Sequence, residues 1–248
     1  MPEREPRLVL PKMLGETITT YCPDPDDPLL SSLYKTHEWI IMEKLREEPC
    51  PITPEDFNQG IGSASTTGTY LCHCIDDPGF DLAFMRIYKQ IPLDGTEFDN
   101  LENRKKQATI ESFVELDALK KFTETECTAT PKLLGYQINN QGANDLIPRG
   151  YIIYLILEKV QGEPLEFEEF WSFPLYKRKS IREKFKVAYM EILSKITGFD
   201  MAIEIDPEYE WTDNNFVIYD LVLLSSNYEK YVPMANDITT DKYEGWRW

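Results

Sequence analysis

Hydrophobic residues in the first part of the chain recur at a helical spacing after a polar start. Residues 1–28 are rich in proline and charge, which favours an extended arm. From Ser31 or Ser32 to about Glu48, apolar side chains recur every three to four residues, which predicts a helix with His37 on its apolar face. His37 is interpreted as a packing residue, with a proton-transfer role as the alternative.

The middle of the chain is rich in strand patterns. Segments 69–75 and 81–88 flank the turn sequence DDPG and predict a β-hairpin, and the glycine-rich stretch GIGSASTTGTY leads into its first strand. A helix is predicted from about Thr109 to Thr125, followed by strands near 131–138 and 151–157. The run YIIYLIL indicates a strand that is buried on both faces.

The last third of the chain begins with a helical pattern over about 180–197, and Gly198 stands where a helix terminator is expected. The segments AIEIDPEYEW and FVIYDLVLL flank the turn sequence TDNN, which predicts a hairpin. The alternating acids of EIDPEYE favour the wet face of an edge strand, with a hard-cation site as the alternative.

Three charged residues stand at matching points in this order of elements. Arg86 lies in the strand AFMRIY, Glu115 in the helix ESFVELDALKKF and Asp220 in IYDLVLL. Together with the glycine-rich stretch, this arrangement resembles the small lobe and the start of the large lobe of the protein-kinase family. The resemblance implies an α+β, two-lobed kinase-like fold with a five-stranded small-lobe sheet, one packing helix and a reduced helical large lobe.

The same resemblance implies a division of the chain into three parts. Residues 1–54 would form an N-terminal arm and helix, and residues 55–160 a strand-rich small lobe. Residues 161–248 would form a reduced helical lobe with a hairpin and a tail. The functional cleft is then expected between the two lobes.

Catalytic roles follow from the resemblance for three residues. Arg86 stands where kinases have a phosphate-binding lysine, Glu115 would pair with it, and Asp220 would match the metal-binding aspartate. Thr197 and Ala202 stand where the catalytic base and the second metal-binding residue are expected. The resemblance therefore implies an incomplete phosphotransfer site.

Ligand-binding roles are implied for residues in the glycine-rich loop and the hinge. In kinases the loop covers the nucleotide phosphates with backbone N–H groups. The residues that would line this ligand site are Gly60, Gly62, Gly68, Glu158 and Val160. The implied function is a pseudokinase-like protein that binds a ligand or a partner. Two alternatives are a small enzyme that cyclises or isomerises an apolar metabolite, and a divergent ATP-dependent phosphotransferase.

The amino-acid composition limits the classes of partner that the protein is expected to bind. The chain has 43 acidic and 26 basic residues, a formal net charge of −17, which disfavours nucleic acid and anionic membranes. A small-molecule ligand or a protein partner is expected instead. Five scattered cysteines, without a signal segment at the start, predict free thiols in a soluble, cytoplasmic protein.

The sequence CHC at residues 72–74 is the main candidate for a metal motif. In a strand, Cys72 and Cys74 share one face while His73 points to the other, so the three side chains cannot hold one ion. Packing of both cysteines in the core is favoured, and no metal site is predicted. No cofactor is expected, apart from ATP and Mg²⁺ under the phosphotransferase alternative.

Overall fold

The structure is a computed structural model, and it describes residues 8–79, 82–110, 113–160, 162, 165–196, 211–219 and 221–222. The chain forms two compact units. The first comprises Met1–Glu124 with Pro131–Val160, and the second comprises Thr125–Thr130 with Gln161–Trp248.

The first unit contains a six-stranded sheet with four helices beside it. Its strands are β1 Thr17–Thr20, β2 His37–Cys50, β3 Ser65–Cys74, β4 Ala83–Gln90, β5 Leu133–Asn140 and β6 Tyr151–Glu158. Its helices are α1 Pro28–Leu33, α2 Pro54–Asn58, α3 Leu101–Lys105 and α4 Val114–Glu124. The described helices of the second unit are α5 Phe167–Ser172, α6 Leu175–Ile196 and α7 Asn214–Ile218.

All strand pairs of the sheet are antiparallel, in the order β1-β2-β3-β4-β6-β5. The two outermost strands approach each other and nearly close the sheet into a barrel. At this seam a Cβ added to Gly135 would lie 2.7 Å from the Thr20 hydroxyl oxygen, so glycine is what permits the approach. A curled sheet of this kind encloses its core on one concave face.

The kinase-like fold class is therefore wrong. The sheet has six strands rather than five and is nearly closed, with few helices around it. Strands β1 and β2 both lie within residues 1–54, which were predicted to form an arm and a helix, and both join this sheet. Strand β1 supplies one side of the seam. The kinase-like and pseudokinase descriptions consequently do not apply to this architecture.

Alternation along the strands fills the inside of the barrel-like sheet. On β4, Ala83, Met85 and Ile87 are fully buried and face inward. They pack with apolar side chains from the other strands and from the N-terminal arm, namely Leu10, Trp39, Ile41, Tyr70, Cys72, Cys74, Tyr154 and Ile156. Trp39 donates its indole N–H to the hydroxyl of Thr20 at 3.0 Å, which satisfies its buried polar atom.

The outer face of β4, β5 and β6 is covered by helices. Leu116 and Leu119 of α4 are buried against Ile153, Leu155 and other outward residues of the sheet. Tyr34, which follows α1, is buried in the same cluster and stacks edge-on against Tyr136 at 5.6 Å. Strand β6 thus has apolar side chains on both faces, as the sequence predicted.

The helix predicted from Ser31 or Ser32 to Glu48 is wrong. The segment forms the short helix α1 and then β2, which pairs with β1 on one side and β3 on the other. His37, Trp39 and Ile41 are buried and alternate with more exposed neighbours, so the segment also carries a strand spacing of two. Pairing with two neighbouring strands decides between the two spacings.

The other predicted helices and strands agree with the structure to different extents. The hairpin of β3 and β4 is confirmed, and α4 begins five residues later than predicted while α6 begins five residues earlier. The second strand of the C-terminal hairpin is wrong at its start, because Asn214–Ile218 forms α7. Most of the first strand of that hairpin lies outside the described residues.

Candidate functional site

The glycine-rich stretch connects α2 to β3. Gly60 and Gly62 have positive φ angles of 80° and 133°, so they make turns that other residues adopt only with strain. Gly68 lies inside β3, where an added Cβ would come within 2.5 Å of a Leu10 methyl carbon. The missing side chain at Gly68 therefore makes room for the N-terminal arm, while a role in ligand binding stays a prediction.

The same arm is held by the carboxylate of Glu47, whose side chain is fully buried. It accepts hydrogen bonds from the backbone N–H groups of Val9 and Leu10 at 2.8 and 3.1 Å, and from the Thr66 hydroxyl at 2.9 Å. Lys44 pairs with it at 2.6 Å. Burial alone would raise the pKa of Glu47, but these bonds outweigh burial and lower it below its ordinary value.

The structure brings Arg86 and Glu115 together, on the outer face of the sheet. Arg86 points outward from β4, and Glu115 reaches it from the first turn of α4. The Arg86 guanidinium donates to one carboxylate oxygen, and the Tyr88 hydroxyl donates to the other. Both oxygens of Glu115 are therefore occupied, and the three side chains tie α4 to the sheet. We call this group the outer-face cluster.

Electrostatics of the outer-face cluster favour the ion pair. Burial alone would lower the pKa of Arg86, but the Glu115 carboxylate and Tyr88 outweigh burial and raise it. Burial and the hydrogen bond to Glu115 raise the pKa of Tyr88 to about 12. About a third of the Arg86 and Glu115 side chains stays exposed, so water screens part of their attraction.

The remaining residues predicted for the site lie elsewhere. Glu158 ends β6, is exposed and accepts the backbone N–H of Lys132 at 3.3 Å. Val160 is half-exposed just beyond it. Asp220 lies outside the described residues, so its predicted match to the metal-binding aspartate stays a prediction. Of the predicted site residues that the structure describes, Arg86 and Glu115 are brought into contact.

A second cluster, which the sequence did not predict, lies at one end of the sheet. His37 begins β2, Cys74 ends β3 and Asp76 follows in the turn. Their donor atoms all lie within 4.8 Å of one another, with Asp76 Oδ1 at 3.3 Å from His37 Nδ1 and 3.1 Å from Cys74 Sγ. His37 and Cys74 are buried, whereas the Asp76 side chain is 42% exposed. We call this group the sheet-end cluster.

Asp76 is the centre of the sheet-end cluster. The hydrogen bond from Cys74, with those from the Glu38 backbone and His37, lowers the pKa of Asp76 below its ordinary value. Burial, and the hydrogen bond to Asp76, raise the pKa of the Cys74 thiol to about 11. The sequence predicted correctly that Cys72 and Cys74 share the inner face, but His37 was assigned to a helix and its approach to Cys74 was missed.

The second unit carries a basic surface on the first half of α6. Between Leu175 and Lys186 there are six basic residues and one acidic residue, in a chain whose net charge is −17. Lys177, Lys179 and Lys184 are exposed. We call these twelve residues, Leu175–Lys186, the basic half of α6.

Aromatic rings lie beneath several of these cations. The Lys177 ammonium is 3.2 Å from the centre of the Phe173 ring, and the Arg178 guanidinium is 4.7 Å from the Trp171 ring. Lys186 lies 5.4 Å from the Trp211 ring. Ile181 and Phe185 of α6 pack on Phe216 and its neighbours.

No protein-family model, curated protein or solved structure matches the chain. Any inference about function therefore rests on the fold and its clusters of side chains. The kinase resemblance therefore gains no support from relatives. Within the part of the chain that the structure describes, no helix combines the length and the apolar character needed to cross a membrane.

Proposed function

We propose that this protein functions by binding an acidic segment of a protein partner through the basic half of α6, without catalysing phosphoryl transfer. The observation that carries the proposal is the concentration of cations on one helix of a strongly acidic chain. Six basic residues against one acidic residue stand there, while acids exceed bases by 17 over the whole chain. Arg182 is buried and donates to the Leu221 carbonyl, so the five other basic residues form the surface that a partner can reach.

A short acidic segment fits this distribution better than a long polyanion. Charges interact over about 8 Å at physiological ionic strength, so a short segment on α6 feels mainly the local positive field. A nucleic acid or an anionic membrane carries negative charge over a longer distance, which the strong net negative charge of the chain disfavours. The charge distribution therefore favours an acidic protein segment.

The aromatic rings support binding by holding the cations in place. Lys177 and Arg178 lie over the rings of Phe173 and Trp171, and such contacts restrict long flexible side chains before a partner arrives. Less conformational entropy is then lost on binding. Arginine and aromatic side chains are also the residues that most often dominate protein interfaces.

The proposal is tested by charge reversal at Lys177, Lys179 and Lys184, the exposed lysines of the basic half of α6. The variant Lys177→Glu/Lys179→Glu/Lys184→Glu is compared with the native chain in fluorescence anisotropy, with a labelled glutamate-rich peptide as the probe. We expect the affinity to fall by at least about tenfold, because loss of rim charges weakens association, and to fall with added salt in the native chain.

A matched control reverses three exposed lysines of the first unit, Lys12, Lys35 and Lys132. This control has the same net charge as the α6 variant and should bind the peptide like the native chain. Equal weakening in both variants would show a general charge effect and overturn the proposal. So would tighter binding of single-stranded DNA or of anionic lipid vesicles than of the peptide.

The phosphotransferase alternative makes an opposite prediction for nucleotide. A nucleotide bound only by the folded chain would raise its melting temperature in the presence of Mg²⁺ and ATP. We expect no such rise, because a nearly closed six-stranded sheet stands in place of the kinase-like architecture that would form a nucleotide cleft. A clear rise that is lost in Arg86→Ala would favour the phosphotransferase instead.

A further inference from the structure

We propose that the sheet-end cluster, His37, Cys74 and Asp76, binds a divalent transition-metal ion of the zinc class. This site is independent of the basic half of α6 and of the partner proposed for it. The three side chains come from separate positions along the chain, and the antiparallel pairing of β2 with β3 brings them together.

The spacing of the donor atoms is close to that around a tetrahedral ion. Zinc bonds of about 2.0–2.3 Å place neighbouring ligand atoms of a tetrahedron roughly 3.3–3.7 Å apart. Asp76 Oδ1 lies 3.3 Å from His37 Nδ1 and 3.1 Å from Cys74 Sγ. The three donor atoms lie within 4.8 Å of one another, so small side-chain movements bring all of them to one ion.

The chemistry of the donor atoms selects the class of metal. One imidazole nitrogen, one sulfur and one carboxylate oxygen form a mixed set that suits Zn²⁺ and Co²⁺, whereas Mg²⁺ and Ca²⁺ prefer oxygen ligands alone. Three protein ligands leave a fourth tetrahedral position. The Asp76 side chain is 42% exposed, so that position would be open to water.

Surrounding groups already fix two of the three ligands. The His37 ring packs edge-on against Trp39 at 5.9 Å, and the backbone N–H of Glu38 donates to Asp76 Oδ1 at 3.3 Å. A hydrogen bond of this kind orients a metal ligand. On binding the ion, Cys74 would release its proton to water.

Hydrogen bonding alone offers a competing explanation of the cluster. Asp76 Oδ1 takes bonds from His37, Cys74 and Glu38 without needing an ion. Metal binding would replace the contacts of His37 and Cys74 with Asp76 by three bonds to one centre. The two explanations differ in whether added metal occupies the site, and an experiment separates them.

Cobalt absorption spectroscopy on the full chain provides that experiment. Co²⁺ bound by a cysteine thiolate in tetrahedral geometry gives a sulfur-to-metal charge-transfer band and intense visible bands. We expect these bands in the native chain, saturating at one ion per chain and bleached by added Zn²⁺. Cys74→Ser should remove the charge-transfer band, whereas Cys50→Ser, at an exposed cysteine outside the cluster, should retain it.

Asp76→Asn provides a second variant in case Cys74→Ser fails to fold, since Asp76 is exposed and its amide keeps the shape. We expect it to weaken Co²⁺ by more than about 100-fold, because loss of even an outer-shell partner costs 10- to 100-fold. Asp77→Asn, the neighbouring acid outside the cluster, should bind like the native chain. Absent bands in the native chain, or unchanged bands in Cys74→Ser or Asp76→Asn, would overturn the proposal.

Discussion

The outer-face cluster and the sheet-end cluster each bring three polar side chains together, but they use them differently. In the outer-face cluster, Arg86 and Tyr88 each donate to one carboxylate oxygen of Glu115, so neither oxygen is left without a donor. In the sheet-end cluster, three atoms of different chemical type converge on one point, beside a half-exposed carboxylate. A saturated ion pair stabilises the fold, whereas convergent donor atoms of mixed type form a site for an ion.

This contrast shows why a charged residue in a predicted active-site position is weak support for catalysis. Arg86 and Glu115 meet, as the sequence suggested, yet the contact joins α4 to the outside of a sheet whose interior is packed with apolar side chains. The predicted catalytic roles of both residues stay predictions. The arrangement gives them a sufficient structural role in the meantime.

Among the substitutions that distinguish the two clusters, we expect Glu115→Ala to lower the free energy of unfolding the most. It leaves Arg86 and Tyr88 without their shared acceptor, and we expect a loss of about 2 kcal/mol in the free energy of unfolding. We set this below the cost of breaking a fully buried pair, because a third of each charged side chain is exposed.

Urea unfolding measures this loss, with metal-free Asp76→Ala as the comparison. Asp76→Ala should cost only about 1 kcal/mol, because its carboxylate is more exposed and its bonds are weaker. If Glu115→Ala unfolds at the same urea concentration as the native chain, the structural role of the outer-face cluster is wrong.

A further effect is expected at alkaline pH from Tyr88. The folded chain raises the pKa of its phenol from 10.0 to about 12, so the protonated form is the one that folding favours. The stabilisation is therefore complete below pH 10 and is lost as the pH rises from about 10 to about 12. Near neutral pH the stabilisation from Tyr88 does not change with pH.

Comparing the pH dependence of unfolding in native protein and Tyr88→Phe between pH 9 and pH 12 isolates this contribution, since buried tyrosines elsewhere titrate in both proteins. The difference in unfolding free energy between them should shrink as the pH rises. A difference that stays constant over this range would contradict the hydrogen bond from Tyr88 to Glu115.

Local patterns were sufficient for parts of the fold that depend on neighbouring residues. The turn DDPG fixed the β3–β4 hairpin, and alternation along β3 placed Cys72 and Cys74 on the inner face. In both cases the deciding contacts are close in sequence or follow from a single periodicity. The pairing of Arg86 with Glu115 was predicted from the kinase resemblance instead, and the contact is present although that fold is wrong.

Long-range contacts explain what the sequence could not reveal. The seam between Thr20 and Gly135 joins residues far apart in the chain, and no local pattern reports it. His37 fits both a helical and an alternating spacing, and only pairing of β2 with β1 and β3 selects the strand. Because His37 was assigned to a helix, its position beside Cys74 and Asp76 could not be predicted.

The most direct test of the difference between the clusters is an isothermal titration of Zn²⁺ into two matched carboxylate-to-amide variants. Asp76→Asn removes an acid from the sheet-end cluster, and Glu115→Gln removes one from the outer-face cluster. Our account predicts one zinc ion per chain in native protein and Glu115→Gln, and a large loss of affinity in Asp76→Asn. Equal zinc binding in both variants, or none in the native chain, would contradict it.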